Sequence, residues 1–189
     1  TGVTRLTREL ADKRLGLLKE IAPRISRVGV LWVAPSSATS AWFYYEAAAR
    51  AQKIPLQSLE VHGPTADLDG AFREAAKARV DALIVATNQA LSPRREKLAE
   101  LAIKNRLPSM FEQSVYVEAG GLVSYSANDD ELFDRAAVFV DKILKGRKPS
   151  DLPVEQPMKF DFVINLKTAK LFGLNVAQSV LFRADKVFQ

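Results

Sequence analysis

The stretch Val28-Gly29-Val30-Leu31-Trp32-Val33 is a short apolar run that decides the fold class. Such a run is long enough for a strand that is buried on both faces and too short for a helix. The polar stretch 35–40 follows at once and offers several helix N-caps. A helix then ends near Ile54-Pro55, and its apolar face consists of Phe43, Ala47, Ala48 and Ala51. The first predicted unit is therefore a strand, a loop and a helix.

This unit recurs along the chain. Apolar runs predict further strands at residues 56–61, 82–86, 109–111 and 122–125. Helices with one apolar face are predicted between them, at residues 68–76 and from Ser92-Pro93 onward. Strands that alternate with helices at this spacing form right-handed βαβ crossovers and a mainly parallel sheet. We predict an α/β fold: a doubly wound parallel sheet with helices on both faces.

Both ends of the chain add to this sheet. Before it, a helix is predicted up to Pro23, and its apolar stripe consists of Leu10, Leu17, Leu18 and Ile21. After it, a long helix begins at the N-cap Asn128 and ends at Gly146. A linker at 148–153 precedes a strand at 160–166 and a short helix at 168–172. We expect this last part to be a C-terminal appendage.

The composition excludes several classes of function. The chain has 189 residues, with 27 Lys and Arg against 22 Asp and Glu, and no Cys. Disulfide frameworks, thiol nucleophiles and zinc sites of the Cys type are therefore excluded. The basic residues, such as Lys13, Arg14 and Lys19, are spread along helices, and we interpret them as solvated faces rather than a nucleic-acid surface. No apolar run approaches the roughly 20 residues that span a bilayer.

Polar residues cluster where the predicted strands end. Ligands of open α/β sheets bind outside the carboxyl ends of the strands, where loops and helix N-termini meet. The hydroxyl, amide, carboxylate and aromatic side chains predicted to bind a ligand there are Ser36, Ser37, Thr39, Thr87, Asn88, Gln89, Glu112 and Tyr125. Trp32 and Trp42 lie close to this edge. The alternative is that individual hydroxyls only cap helices, because Ser, Thr and Asn are favoured at N-caps in any case.

The same edge carries no recognisable catalytic set. His62 is the only His in the chain, and no Gly-x-Ser-x-Gly turn accompanies it. Neither a phosphate-binding loop of the Walker type nor Gly-x-Gly-x-x-Gly occurs, so a nucleotide cofactor is not expected. Glu112 and Glu118 as an acid and base pair are a weaker alternative to two solvated carboxylates. We predict a binding protein that is not an enzyme and has no cofactor or metal.

Several long motifs are similar to one family. They lie at residues 117–125 and 136–146, and at 152–157 and 163–170 with Arg183-Ala184-Asp185 near the end. These motifs, with Lys13-Arg14-Leu15 near the start, resemble the substrate-binding proteins of ABC transporters, in the branch that includes tryptophan and tyrosine uptake. The resemblance implies the type I periplasmic binding protein fold, in which two lobes close on a ligand. It also implies ligand contacts near Ser36 and Ser37 and near Thr87 and Asn88.

The resemblance carries expectations about organisation. The chain would correspond to the last two thirds of such a receptor, without its signal peptide and first lobe. Residues 1–23 would hold the inter-lobe crossing and first helix, 24–128 the ligand-binding lobe, and 129–189 the segment that completes the first lobe. Such receptors are periplasmic or lipid-anchored and deliver a small metabolite, here an amino acid or aromatic carboxylate, to permease subunits in the membrane.

Two further expectations concern partners and alternatives. The long helix between Asn128 and Gly146 has an apolar stripe of Leu132, Phe139, Val140 and Ile143. This stripe would be exposed if no lobe covered it, which predicts a homodimer through this helix, where the chain returns to the first lobe. The alternative function is the effector-sensing domain of a transcription regulator, which shares this fold class. A signal peptide upstream in the gene would favour the receptor, and a helix-turn-helix the regulator.

Overall fold

Helices and strands alternate along most of the chain, as the sequence predicts. The computed structural model describes residues 1–5, 9–34, 39–63 and 65–189. The strands are β1 (Gly2–Val3), β2 (Val28–Ala34), β3 (Leu56–His62), β4 (Ala82–Val85), β5 (Ser109–Phe111), β6 (Val123–Ala127), β7 (Val154–Glu155), β8 (Phe160–Asn165) and β9 (Lys186–Phe188). The α-helices are α1 (Ala11–Ile21), α2 (Thr39–Gln52), α3 (Leu68–Lys77), α4 (Arg95–Lys104), α5 (Val115–Glu118), α6 (Asp129–Leu144), α7 (Leu166–Leu171) and α8 (Gln178–Leu181). No described helix is long and apolar enough to cross a bilayer.

Seven strands form one sheet in the order β3-β2-β4-β5-β6-β8-β9. Neighbouring strands run parallel except at β6 and β8, which are antiparallel. Strand β2 is buried along its whole length and pairs with β3 on one side and β4 on the other. The continuous apolar run of residues 28–33 therefore forms an interior strand, which confirms the prediction.

Helices cover both faces of this sheet, so the fold is doubly wound. On one face α1, α2, α7 and α8 pack on alternate residues of the strands, such as Val30, Ile84 and Ile164. On the opposite face α3, α4 and α5 pack on the residues between them, such as Leu31 and Leu83. The alternation follows from the two-residue period of a strand, and it produces one apolar layer on each side of the sheet.

A glycine pair fixes the turn between α5 and β6. Gly120 has φ +108°, a backbone conformation that favours glycine. At Gly121 a Cβ atom would lie 2.7 Å from the backbone oxygen of Tyr116 and would also collide with the ring of Phe111. The absence of side chains thus lets α5 pack closely on β5, directly beside Glu112, the residue that follows this strand.

The C-terminal third divides differently from the predicted grouping of residues 129–189. Strands β8 and β9 extend the seven-stranded sheet beyond β6, and α7 and α8 pack on its face. Strand β7 instead pairs with β1 in a separate two-stranded sheet, and α6 contacts β1. Residues 160–188 therefore belong to the main sheet, whereas α6, β7 and β1 stand together beside it.

Helix α6 exposes a different stripe from the predicted one. Leu132 and Phe139 are buried, because their face of the helix packs inward. Among the residues with large exposed apolar side chains are Phe133 at 68%, Val140 at 56% and Leu144 at 82% exposure. Their spacing of seven and four positions places them on one line of the helix surface, about a quarter turn from the predicted stripe. The expectation of an exposed stripe was right for Val140 and wrong for Leu132 and Phe139.

Candidate functional site

The carboxyl ends of β2, β4 and β5 lie side by side, because these strands are parallel neighbours in the sheet. Of the residues predicted at this edge, Ser36 and Ser37 lie outside the described residues. Thr39 is the first residue of α2, and its side chain is also outside the part that the structure describes. The other predicted residues that the sheet brings to this edge are Thr87, Asn88, Gln89 and Glu112.

Glu112 is the centre of a buried hydrogen-bond network. The residue is 6% exposed. Atom Oε1 accepts hydrogen bonds from Tyr45 Oη at 2.6 Å and from Arg14 Nη1 at 3.0 Å. Atom Oε2 accepts one from the backbone N–H of Thr87 at 2.7 Å. The carboxylate thus connects α1 and α2 to the loop after β4, and we interpret Glu112 as a residue that positions this loop.

Arg14 is the cation that balances this carboxylate. It is 1% exposed, so its interpretation as part of a solvated helix face was wrong. Besides Glu112, it donates from Nε to the backbone oxygen of Tyr125 at 2.8 Å and from Nη1 to Tyr45 Oη at 3.4 Å. Burial lowers the pKa of Arg14, but the electrostatic influence of Tyr45 and Glu112 exceeds it and raises the pKa overall. The guanidinium therefore stays charged inside the protein.

Tyr45 completes the network from α2. Burial and the neighbouring Glu112 carboxylate raise the pKa of Tyr45 well above its ordinary value, so the phenol remains a hydrogen-bond donor. Neither Arg14 nor Tyr45 was identified as part of the site from the sequence. One signal was present, because Arg14 lies four positions after Leu10 and four before Leu18, on the apolar stripe of its own helix.

The loop after β4 carries three of the residues that were predicted to bind a ligand, Thr87, Asn88 and Gln89. The Oγ1 atom of Thr87 is buried and has no hydrogen-bond partner among the described residues. Asn88 uses its Oδ1 atom to accept the backbone N–H of Ala90 at 2.9 Å, which is a local turn. Gln89 is exposed. Of the predicted residues in this loop, Thr87 therefore has the strongest physical reason to contact a ligand, since a buried hydroxyl without a partner is costly.

An apolar patch adjoins this loop. Trp32, Ala34 and Ala86 form a small buried cluster, and the half-buried ring of Trp42 packs against it. The indole nitrogen of Trp32 donates to Ser58 Oγ at 2.8 Å, which makes Trp32 a satisfied core residue. The indole of Trp42 lies in the first half of α2 and is partly accessible, so it is the better platform for a ligand ring.

Tyr125 belongs to another part of the sheet. Its ring stacks on Phe160 with centroids 5.8 Å apart and meets Phe162 edge-on at 6.1 Å. These contacts lie on the face that α1 covers. The structure thus places the ring of Tyr125 with the aromatic residues of β8, and only its backbone oxygen joins the Glu112 network.

Glu112, Glu118 and His62, which were considered for catalysis, do not form a common site. Glu118 is exposed and pairs with Lys186 at 3.2 Å, whereas Glu112 is buried in its own network. His62 is exposed at the end of β3, 3.4 Å from Glu60. Over the described ranges, no group of three or more His, Asp or Glu side chains has the arrangement of a metal site. The arrangement at the carboxyl edge is suited to holding a molecule through a hydroxyl and an apolar surface.

Solved structures with the same fold are longer than this chain. One is a conserved domain protein from Vibrio cholerae, with a TM-score of 0.90 and 24% identity over 99% of this chain and 62% of its own. Another is an ABC domain from Streptococcus pneumoniae in complex with L-Trp, with a TM-score of 0.85 and 22% identity over 94% of this chain and 60% of its own. The chain therefore spans about three fifths of the length of these structures.

A transcription regulator shows a more distant likeness. A protein described as a probable maltose operon transcriptional repressor, from Staphylococcus aureus, has a TM-score of 0.63 and 10% identity over 88% of this chain and 61% of its own. The comparison with curated proteins finds no significant match. The model of the family described as ABC transporter substrate binding protein matches residues 1–188. The chain has the type I periplasmic binding protein fold and belongs to the ABC transporter substrate-binding protein family.

Proposed function

We propose that this chain provides one side of the ligand site of an ABC transporter receptor and binds a small metabolite at the carboxyl edge of its sheet. The observation that carries this proposal is the loop after β4. Glu112 fixes the backbone of the loop at Thr87, yet the Oγ1 atom of Thr87 has no hydrogen-bond partner among the described residues. A rigid backbone that presents an unused hydroxyl is what a preorganised binding site requires.

We propose an amino acid or an aromatic carboxylate as the ligand. The half-buried Trp42 and the cluster of Trp32, Ala34 and Ala86 offer an apolar surface on which an aromatic ring can pack. The Streptococcus pneumoniae structure of the same fold contains L-Trp, which favours this class of ligand. Thr87 would bind a polar group of the ligand, and the amide nitrogen of Asn88, which makes no hydrogen bond with a described residue, would add a second contact.

The ligand would be enclosed between this edge and a second lobe. In this proposal β1, β7 and α6 belong to that other lobe, because they form a unit of their own beside the seven-stranded sheet. The remaining elements, from α1 to β6 and from β8 to β9, make up the lobe that carries Thr87. In this division the chain crosses between the lobes after β1, near residue 128 and near residue 159, whereas the sequence prediction assigned all of residues 129–189 to the first lobe.

Family membership supports the rest of the proposal. Substrate-binding proteins of ABC transporters work outside the cytoplasm and pass their ligand to permease subunits, and we propose the same role and location for this chain. The role requires binding and release rather than catalysis. The regulator alternative shares the fold, but the family match over residues 1–188 is to the receptors.

We also propose that two copies of the chain pair through α6. The exposed line of Phe133, Val140 and Leu144 is the apolar part of this surface. The helix begins with Asp129, Asp130 and Glu131, and the chain that ends it is basic at residues 142, 145, 147 and 148. Antiparallel pairing would place the acidic end of one helix beside the basic end of the other.

Binding at the edge is tested with free amino acids and aromatic acids, including L-tryptophan, by thermal shift and then by isothermal titration calorimetry. We expect at least one small acid to raise the melting temperature. Thr87→Val keeps the shape of the side chain and removes the hydroxyl, so it should weaken that ligand about fivefold, as expected for one neutral hydrogen bond of about 1 kcal/mol.

Gln89→Leu is the matched control, because Gln89 is exposed in the same loop. It should leave the affinity unchanged within error. If a nucleotide stabilised the chain and no small acid did, the proposed function would be wrong.

A further inference from the structure

A cavity lies on the face of the sheet that α1 covers. It has a volume of about 280 Å³, near the lower end of the range for ligand pockets. Neither Thr87 nor Asn88 lines it, so it is distinct from the carboxyl edge. The residues that line it are Lys13, Leu17, Tyr125, Phe160, Phe162, Arg183 and Asp185. We call it the α1-face cavity.

Aromatic rings form the apolar part of the α1-face cavity. The rings of Tyr125 and Phe160 are nearly parallel, with an interplanar angle of 8°, and Phe162 meets Tyr125 at 71°. Tyr125 and Phe160 are half-buried, whereas Phe162 and Leu17 are buried. Two neighbouring rings of fixed orientation that keep part of their surface accessible offer a third ring a stacking or edge-on position.

Charges of both signs stand at the rim of this cavity. Asp185 uses Oδ2 to accept the backbone N–H of Phe162 at 2.8 Å, and its Oδ1 atom makes no hydrogen bond with any described residue. Arg183 is engaged by Glu20. The ammonium of Lys13 forms no ion pair within the described part of the chain. The Oδ1 atom of Asp185 and the ammonium of Lys13 therefore have no partner among the described residues, and the two groups carry opposite charges.

The phenol of Tyr125 adds a polar group. Burial raises the pKa of Tyr125, and the nearby Asp185 carboxylate raises it further, against a smaller opposite influence of Arg14. The phenol thus stays protonated at neutral pH. It can donate a hydrogen bond to an anionic group that enters the cavity.

We infer that the α1-face cavity binds one free amino acid with an aromatic side chain. Its ring packs on Tyr125 and Phe160, its ammonium pairs with Asp185, and its carboxylate pairs with Lys13. The rim offers both a negative and a positive charge, so a zwitterion can pair with both. An acid without an ammonium would leave Asp185 unpaired beside its own negative charge, and an amine without a carboxylate would leave Lys13 unpaired beside its own positive charge. This site is independent of the carboxyl edge and does not depend on the function proposed for that edge.

The test is a titration of the ¹⁵N-labelled chain, followed by NMR. L-phenylalanine is compared with 3-phenylpropionate, which lacks the ammonium, and with phenethylamine, which lacks the carboxylate. We expect L-phenylalanine to shift the amide signals of Leu17, Tyr125 and Phe162 saturably. Each analogue should bind at least about tenfold more weakly, which corresponds to the loss of one charge contact.

Two variants separate the charges. Asp185→Asn keeps an oxygen for the Phe162 backbone N–H and removes the charge, so it should abolish the preference for L-phenylalanine over 3-phenylpropionate. Lys13→Met keeps the length of an exposed side chain and should abolish the preference over phenethylamine. Thr87→Val should leave the shifts at the α1-face cavity unchanged, because Thr87 does not line it.

Three results would overturn the inference. The first is the absence of saturable shifts at these three amides up to about 10 mM ligand, beyond which affinity is negligible. The second is equal binding of all three compounds, which would indicate non-specific apolar contact. The third is a weaker apparent affinity at these amides in Thr87→Val, which would assign the shifts to binding at the carboxyl edge.

Discussion

At the scale of single residues, the network around Glu112 explains which parts of the site could be predicted. Thr87 and Asn88 follow an apolar run, so their place at the sheet edge was visible in the sequence. The roles of Arg14 and Tyr45 depend on contacts across 98 and 67 positions, which no local pattern encodes. A buried Arg has the same sequence signal as a surface Arg unless its position on the apolar stripe is considered.

Removing the charge of Glu112 should destabilise the protein strongly. Glu112→Gln leaves Arg14 as a buried cation without its counter-ion, which typically costs about 3–5 kcal/mol of unfolding free energy. Urea denaturation measures the change. Glu118→Gln removes an exposed pair with Lys186 and should cost less than about 1 kcal/mol. Equal stability of the two variants would show that the Glu112 network contributes little.

Alkaline pH should reveal the buried phenol of Tyr45. Its pKa is raised in the folded state, so the unfolded chain loses this proton first as the pH rises. The contribution to stability is complete below about pH 10 and falls above it, by up to about 1.4 kcal/mol per pH unit for one such group.

Tyr45→Phe should make the fall in unfolding free energy between about pH 10 and pH 11 smaller than in the unaltered chain, although the buried Tyr116 and the half-buried Tyr125 keep part of it. Urea titrations at a series of pH values give this slope. An identical slope in the two proteins would mean that Tyr45 ionises as easily in the folded state as in the unfolded chain.

At the scale of elements, long or strongly apolar segments were predictable and short ones were not. Strands β2 and β4 were recognised because they are continuous apolar runs, and α6 because it has both a stripe and a cap. Strands β1 and β7 have two residues each, and α5 and α8 have four. Segments of this length show no periodicity, so only tertiary contacts determine them.

The N-cap of α6 is expected to have two functions. Asn128 accepts a hydrogen bond from the backbone N–H of Glu131 at 2.8 Å and donates one from Nδ2 to Asp161 at 2.9 Å. The second bond joins the start of α6 to the start of β8, which are the two places where the chain leaves and rejoins the main sheet. Asn128→Ala should therefore cost more unfolding free energy than the roughly 1 kcal/mol of an ordinary cap. Asn128→Ser restores only the cap and should recover part of the loss.

Asp67→Ala is the control for this comparison, because Asp67 is an N-cap as well: its Oδ1 atom accepts the backbone N–H of Gly70 in α3 at 2.8 Å. This cap does not join two places where the chain leaves the main sheet. Urea denaturation of all three variants gives the values. A cost for Asn128→Ala no greater than for Asp67→Ala would contradict the second function.

At the scale of the whole molecule, the exposed line on α6 predicts self-association. Sedimentation equilibrium of the chain should give a mass that rises from 20.9 kDa toward twice that value with increasing concentration. Val140→Lys with Leu144→Lys should keep the mass at that of one chain at all concentrations. Leu171→Lys, at another exposed Leu, should still associate. A single-chain mass for the unaltered protein at high concentration would exclude the pairing.

The small sheet of β1 and β7 also has a consequence for the order in which the molecule assembles. Gly2 pairs with Val154, so this contact closes a loop of about 150 residues for only two pairs of residues. Closing that loop costs conformational entropy, and two residue pairs stabilise the closed form only a little. We therefore expect the pairing to form last in folding. It should also open first, and the amide hydrogens of Gly2 and Thr4, which bond to Pro153 and Glu155, should exchange with solvent long before those of β2.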